Sequence, residues 1–369
     1  MRHSCWLLLI AMLPPAGEAT LLQAPAQRQT PDLSEIRRKV QSGEQLTPEE
    51  KQRLQQVNAQ QAEQRRQQYL KDHTPQSSVG LIPLTDLGAG NYKGEQGGLY
   101  PGGNNAPPPE HLKAGLRIAR QIAPLDGEGR QAPDGTIVLL AVGFSNPNME
   151  FPAFQKLAAQ DSALNPRLVT VNGCVGGQAS SVQADPNSNY WKVVDQRLSA
   201  AAVTPKQVQA LWIKEVIPGP SQPFPAESKK LYGDLAATLH VVRDRFPNLK
   251  VAYLSSRIYG GYTEVGGSPE PWAYESAFSV KWVVAGQIAG KPELNCDPAK
   301  GAVRAPWIAW GPYLWTDGVK GRKDGLVFLR QDLRADGLHP SDTGAAKIAR
   351  LLLDFFKSDP TTRPWFVKQ

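Results

Sequence analysis

The sequence predicts an α/β protein: a three-layer α/β/α sandwich around a five-stranded parallel sheet, preceded by a helical arm. Three observations lead there. From Glu110 onward, short apolar runs alternate with longer helical stretches, which is the pattern of repeated βα units. The first such run, residues 136–142, is apolar throughout, as a strand covered on both faces must be. The segments rich in Gly, Ser, Asp and His fall just after the strands, where sites form in sheets of this kind. With 369 residues and 41% hydrophobic content, the chain is long and apolar enough for a large core, which excludes wholesale disorder.

The elements follow in order. Arg2 and His3 precede an apolar run at 5–13 that is too short to span a bilayer as a helix. Pro14 and Pro15 break it, and small residues follow. Residues 1–19 therefore read as an export signal, cleaved after Ala19 or alternatively after Ala24; the other reading is an uncleaved anchor. The mature chain is expected outside the cytoplasm, periplasmic or secreted, with no later membrane-crossing segment. Residues 20–72 form the arm: a short helix at 32–40, then a polar helix to about Leu70 opened by Thr47, Pro48, Glu49 and Glu50 as cap and acidic first turn. It serves either as a docking hairpin or as a solvated spacer. Residues 73–109, rich in Gly, Pro and Asn, read as a linker. The domain proper spans 110–369.

Within it, helices are expected at 110–122, 151–160, 191–202, 228–246 and 341–357. Strands are expected at 136–142, 167–171, 208–213, 249–254 and 306–310, with a helix at 275–288 inside an insertion spanning about 258–300.

Composition excludes several chemistries. The net charge of +7 is spread along the chain without a basic block, so no nucleic-acid partner is expected. The 3 Cys and 5 His include no Cys-x-x-Cys and no His-x-x-x-His, so neither a structural zinc site nor an iron–sulfur cluster is expected, and the acyl-transfer scheme given next requires no metal and no cofactor. Cys174 and Cys296 remain after signal cleavage and are candidates for a disulfide in an oxidising compartment.

The catalytic inventory follows the strands. Gly143, Phe144, Ser145 and Asn146 come after the first; Asn172, Gly173, Cys174, Val175, Gly176 and Gly177 after the second; Lys214 and Glu215 after the third. Asp336 and His339 stand before the last helix. A serine, glycine amides, and a histidine with a carboxylate three residues earlier are what acyl transfer needs: nucleophile, oxyanion donors, base and the group that orients the base. Among the histidines, His3 lies in the signal, His73 in the linker, and His111 and His240 in helices. Only His339 sits in a loop beside such a carboxylate.

This order of blocks resembles the SGNH/GDSL hydrolase superfamily over residues 136–356; the whole chain also resembles a group of exported bacterial proteins. The resemblance implies a flavodoxin-like sheet and a serine esterase. Gly143, Ser145 and Asn146 match the Gly-Asp-Ser block, with Phe144 in place of the Asp. Asn172 and Gly177, or alternatively Gly176, match the second block. In the third block Lys214 stands where the family has its oxyanion Asn. Asp336 and His339 match the last block fully. The implied catalytic residues are Ser145, Asp336 and His339, with Gly177 at the oxyanion. Lys214 would replace the Asn with Glu215 neutralising it, or else the two form a surface pair; replacing Lys214 by Ala is then expected to cut kcat over tenfold with the fold intact. Asn146, Glu215, Arg257, Tyr259 and Trp315 are candidate substrate contacts. Flat aromatic side chains after the fourth strand and near the fifth suit sugar rings; the other reading, favoured for each one taken singly, is a core of large residues covering the sheet. The expected substrate is a small-molecule or glycan ester. A glycan-binding protein without catalysis and a sugar O-acyltransferase are the other readings.

Overall fold

A computed structural model describes residues 32–368; the expected signal segment lies outside the described residues. The chain divides into two compact parts after Ala62. In the first, Asp32 caps α1 (Leu33–Ser42) by accepting from Ser34 N, and Gly43 closes it at φ 74°. Thr47 and Glu50 form a reciprocal capping box, at 2.8 and 3.2 Å, on α2 (Pro48–Asp72). That helix continues across the division and carries almost no apolar side chains, as its composition implies.

In the second part, residues 73–109 are not a linker. They carry α3 (Leu84–Leu87) and a small hairpin of β1 (Asn91–Tyr92) and β2 (Glu95–Gln96), and they place Leu84, Leu99 and Tyr100 in the core. Trp310 Nε1 donates to Leu99 O at 2.7 Å. Asp317, 1% exposed, accepts from Ser78 Oγ, Val79 N and Gly80 N at 2.7–2.9 Å. The Gly and Pro residues that suggest a tether instead shape a strap bonded to the body.

α4 (Pro109–Ala119) leads into β3 (Ile137–Gly143), followed by α5 (Ser145–Ala158) and β4 (Leu168–Asn172). Then come α6 (Ser180–Gln183), α7 (Asn189–Ala200), β5 (Val208–Lys214), α8 (Ala226–Arg245) and β6 (Val251–Leu254). α9 (Trp272–Ile288), β7 (Trp307–Trp310), α10 (Asp342–Ser358) and α11 (Arg363–Phe366) complete the fold. The five long strands are all parallel in the order β4-β3-β5-β6-β7, the flavodoxin-like arrangement of a three-layer sandwich. α5 packs on α10 and α8 packs on α9. β3 and β5 are buried along their whole length. Each fully buried Val, Leu or Ile there contributes about 1.5–3 kcal/mol.

Two expectations change. Parallel strands need a crossover, and α9 is the one joining β6 to β7, so it belongs to the sandwich rather than to an insertion. Cys174 and Cys296 are free thiols. Cys174 follows the C-terminal end of edge strand β4, whereas Cys296 precedes the N-terminal end of the opposite edge strand β7, which keeps them apart.

Candidate active site

The site is built at the C-terminal ends of the strands. Gly143 ends β3, and a side chain there would begin 2.2 Å from Lys214 O, so only glycine fits between the neighbouring strands. Its amide donates to Tyr190 Oη at 3.0 Å, while its carbonyl accepts from Val175 N at 3.0 Å and Gln183 Nε2 at 3.3 Å. The chain then turns directly into α5. Ser145 is its first residue, six residues before the expected start. Pro147 is accommodated because first-turn N–H groups lack intrahelical partners anyway. The same property leaves the Ser145 and Asn146 amides available at the helix N-terminus, where the dipole favours negative charge.

His339 arrives on the turn before α10. Asp336 Oδ1 accepts from the N–H groups of Leu338 (2.9 Å) and His339 (3.0 Å), fixing that turn. Asp336 Oδ2 lies 2.6 Å from His339 Nδ1, and His339 Nε2 lies 2.9 Å from Ser145 Oγ. The carboxylate sets the tautomer: the proton sits on Nδ1, and Nε2 accepts from the serine hydroxyl. Burial alone would raise the Asp336 carboxyl, but the bonds from the His339 ring and the two amides outweigh it and hold it far below the usual range. Asn146 Nδ2 donates to Leu338 O at 3.2 Å, tying the nucleophile helix to this turn. Asn146 is therefore wholly buried and braces the site.

The glycine loop is pinned by Asn172 Oδ1, which accepts from Cys174 N at 3.1 Å, and by Arg197, which donates to the carbonyls of Asn172 and Cys174. Gly176, rather than Gly177, lies against the nucleophile: a side chain at Gly176 would begin 3.9 Å from Ser145 Cβ, and one at Gly177 would meet nothing within 4 Å. Gly177 supplies the left-handed turn, at φ 74°.

Lys214 departs from expectation. Its Nζ contacts both oxygens of Glu150, at 2.7 and 2.8 Å, and both side chains are 0% exposed. Burial pulls the ammonium down to about 8 against the attraction of Glu150. The cation is thus spent on a carboxylate of α5, neither free for an oxyanion nor paired with Glu215. Glu215 is buried, accepting from Thr238 Oγ1 at 3.4 Å, and burial pushes its carboxyl well above the usual range; it lies in the interior and is no substrate contact. Glu150 has no local signal in the sequence, because its partner lies 64 residues away.

The aromatic candidates belong to the interior. Tyr259 is fully buried and donates to Gln76 O at 3.1 Å. Trp315 is fully buried and donates to Glu270 Oε1 at 2.7 Å. Trp307, Trp310, Tyr313, Tyr262, Trp272 and Tyr274 are buried as well. Glu270, which sequence reasoning missed, also accepts from Gly260 N and Tyr274 N, yet burial raises it to about 7. Arg257 is buried over the Phe144 ring, its Cζ 5.3 Å from the ring centre.

Fold and site together define a parallel α/β protein with a hydrogen-bonded Ser–His–Asp triad at its sheet edge. No family model and no curated protein matches the chain. It is similar to solved structures at low identity. A protein from Bacillus subtilis is 13% identical, with a TM-score of 0.34 over 62% of this chain and 58% of that one. A carbohydrate esterase family 3 protein from Talaromyces cellulolyticus is 13% identical, with a TM-score of 0.31 over 58% and 94%. The C-terminal catalytic domain of the Streptococcus pneumoniae peptidoglycan O-acetyltransferase A is 14% identical, with a TM-score of 0.31 over 63% and 98%. The match spans 58% of the Bacillus protein and 48% of a gut microbial diltiazem-metabolizing enzyme, about half of either chain. TM-scores this low assign neither reaction nor substrate.

Proposed function

We propose that this protein is a serine esterase or deacylase that hydrolyses a carboxylic ester, acting outside the cytoplasm on an acylated carbohydrate. The observation that carries the reading is the continuous relay from Ser145 Oγ through His339 to Asp336, at 2.9 and 2.6 Å. These lengths are within proton-transfer reach before any substrate binds.

In the reaction, His339 Nε2 takes the Ser145 proton as Oγ attacks the ester carbonyl. Asp336 stabilises the imidazolium that forms. The N–H groups at the start of α5 and in the Gly176 loop hold the oxyanion. The imidazolium returns its proton to the leaving alcohol, giving an acyl-serine. A water then loses its proton to His339 and attacks, and the acid leaves with Ser145 regenerated. Export is supported by the basic start and short apolar run at the N-terminus, and the carbohydrate is inferred from that location.

The test is labelling of the mature protein by a fluorophosphonate, with the site found by mass spectrometry. Label on Ser145 that disappears in Ser145→Ala and His339→Ala is the expected result. A protein shown folded by circular dichroism that takes no label would refute the reading.

A further inference from the structure

Arg257 lies three residues past β6 and is 1% exposed. Its guanidinium rests on Phe144, the residue immediately before the nucleophile. Its Nε and Nη2 are both buried, and neither has a hydrogen-bond partner among the described residues. These two nitrogens form one edge of the guanidinium plane. Their N–H bonds run parallel, at the spacing that accepts the two oxygens of a carboxylate side-on.

No described residue takes that edge. The carboxylates that attract the cation are Glu150, Glu270 and Asp336. Glu150 gives both oxygens to Lys214. Glu270 accepts from Gly260 N, Trp315 Nε1 and Tyr274 N. Asp336 accepts from Leu338 N and from the His339 amide and ring. Each donor left buried without a partner costs about 1–3 kcal/mol, and more when it is charged. The fold thus leaves a buried, charged, planar, two-pronged donor unpartnered against Phe144, the residue next to Ser145 in the chain.

We propose that Arg257 is a carboxylate-binding subsite, so that the preferred ester carries a carboxylate close to its scissile bond. This inference rests on the esterase reading for its substrate, but not for its binding. The carboxylate belongs either to the acyl group, as in a dicarboxylic half-ester, or to the alcohol, as in an acylated uronic acid. The chemistry recognised is the same.

Two matched pairs separate these sources. 4-Nitrophenyl hemisuccinate against 4-nitrophenyl pentanoate tests the acyl side; an acetylated methyl glucuronoside against the acetylated methyl glucoside tests the alcohol side. In one pair, kcat/KM of the unmodified protein should favour the anionic member by roughly tenfold or more, the scale of one charge-assisted bond. Arg257→Lys, which keeps the charge but loses the fork, should shrink that preference; Arg257→Gln should abolish it. A guanidinium serving the oxyanion instead would give the unmodified protein no preference and overturn the proposal.

Melting temperature supplies the second readout. Glucuronate against glucose, and monomethyl against dimethyl succinate, are added to the unmodified protein and to Arg257→Lys. A rise specific to an anionic member and lost in the variant supports the subsite, even if no ester is hydrolysed. Ester hydrolysis without preference in either pair refutes the subsite and leaves the esterase standing. With no hydrolysis at all, absence of an anion-specific rise in the unmodified protein refutes it too.

Discussion

Replacing Glu150 or Lys214 alone should unfold much of the protein's stability margin, whereas replacing both should not. The two side chains are 0% exposed and joined by contacts of 2.7 and 2.8 Å. Lys214 is lowered to about 8 even with Glu150 in place, because desolvation, joined by repulsion from Arg257, outweighs the attraction of Glu150. Without its partner, the remaining charge is buried uncompensated, a loss of about 3–5 kcal/mol. Against the roughly 5–15 kcal/mol total of an ordinary domain, that is severe. Lys214→Met and Glu150→Leu together remove both desolvation costs, and the double variant should lie near the parent or up to about 4 kcal/mol above it. Urea unfolding followed by tryptophan fluorescence gives all four corners of the cycle. In Glu150→Gln, stability should climb as pH rises toward the ordinary lysine range, because the folded form sheds the Lys214 proton more readily than the unfolded form. Single variants losing under about 1 kcal/mol, or a double as unstable as their sum, would refute this reasoning. The expectation that Lys214→Ala leaves the fold intact gives way to this one. Ester turnover retained within a few-fold by the double variant would remove Lys214 from the oxyanion chemistry as well.

Three further outcomes are expected. Asp336→Asn should keep the serine in place but lower kcat by about 10³–10⁴, because the ring loses the acceptor that fixes its tautomer; steady-state kinetics on an activated ester checks this. Gly176→Ala should cut kcat/KM over tenfold with an unchanged melting temperature, since its methyl group would face Ser145 without backbone strain; Gly177→Ala, at φ 74°, should instead cost about 1 kcal/mol of stability. Glu270 is raised to about 7, so the folded state holds its proton after the unfolded state has released it. Its contribution is therefore present at low pH and lost as pH rises from the ordinary carboxyl range to about 7, a fall approaching 3 kcal/mol. Glu270→Gln should lack that slope in denaturation curves taken across this window.

The sheet was legible because buried parallel strands read as unbroken apolar runs: residues 136–142 were expected, and Ile137–Gly143 is observed. Ser145, Asp336 and His339 were legible because each follows or precedes a strong periodic element, so their convergence at one sheet edge follows from topology. The start of α5 was obscured by Pro147 and Pro152, which discourage a helix although the first turn tolerates one and the buried face of α5 offsets the other. Lys214 and Glu150 lie 64 residues apart, and no local pattern announces such a pair. Aromatic residues such as Tyr259 and Trp315 look alike in sequence whether they line a cleft or fill a core; their hydroxyl and indole bonds place them in the core.

The strap at residues 77–80 bears on how the protein can be shortened. A fragment trimmed to begin at residue 110, where the sequence alone marks the domain boundary, would strip Asp317 of its bonds to Ser78, Val79 and Gly80. It would likewise leave the ammonium of Lys281 without the carbonyls of Gln96 and Gly97. Both charged side chains are largely enclosed, so the truncated chain would strand the Lys281 ammonium, leave Asp317 with Lys320 Nζ at 3.9 Å in place of its three bonds, and uncover the apolar face where Leu84, Leu99 and Tyr100 had been. A fragment that keeps these bonds must therefore begin close to residue 74, and expression trials started at 110 should yield aggregate.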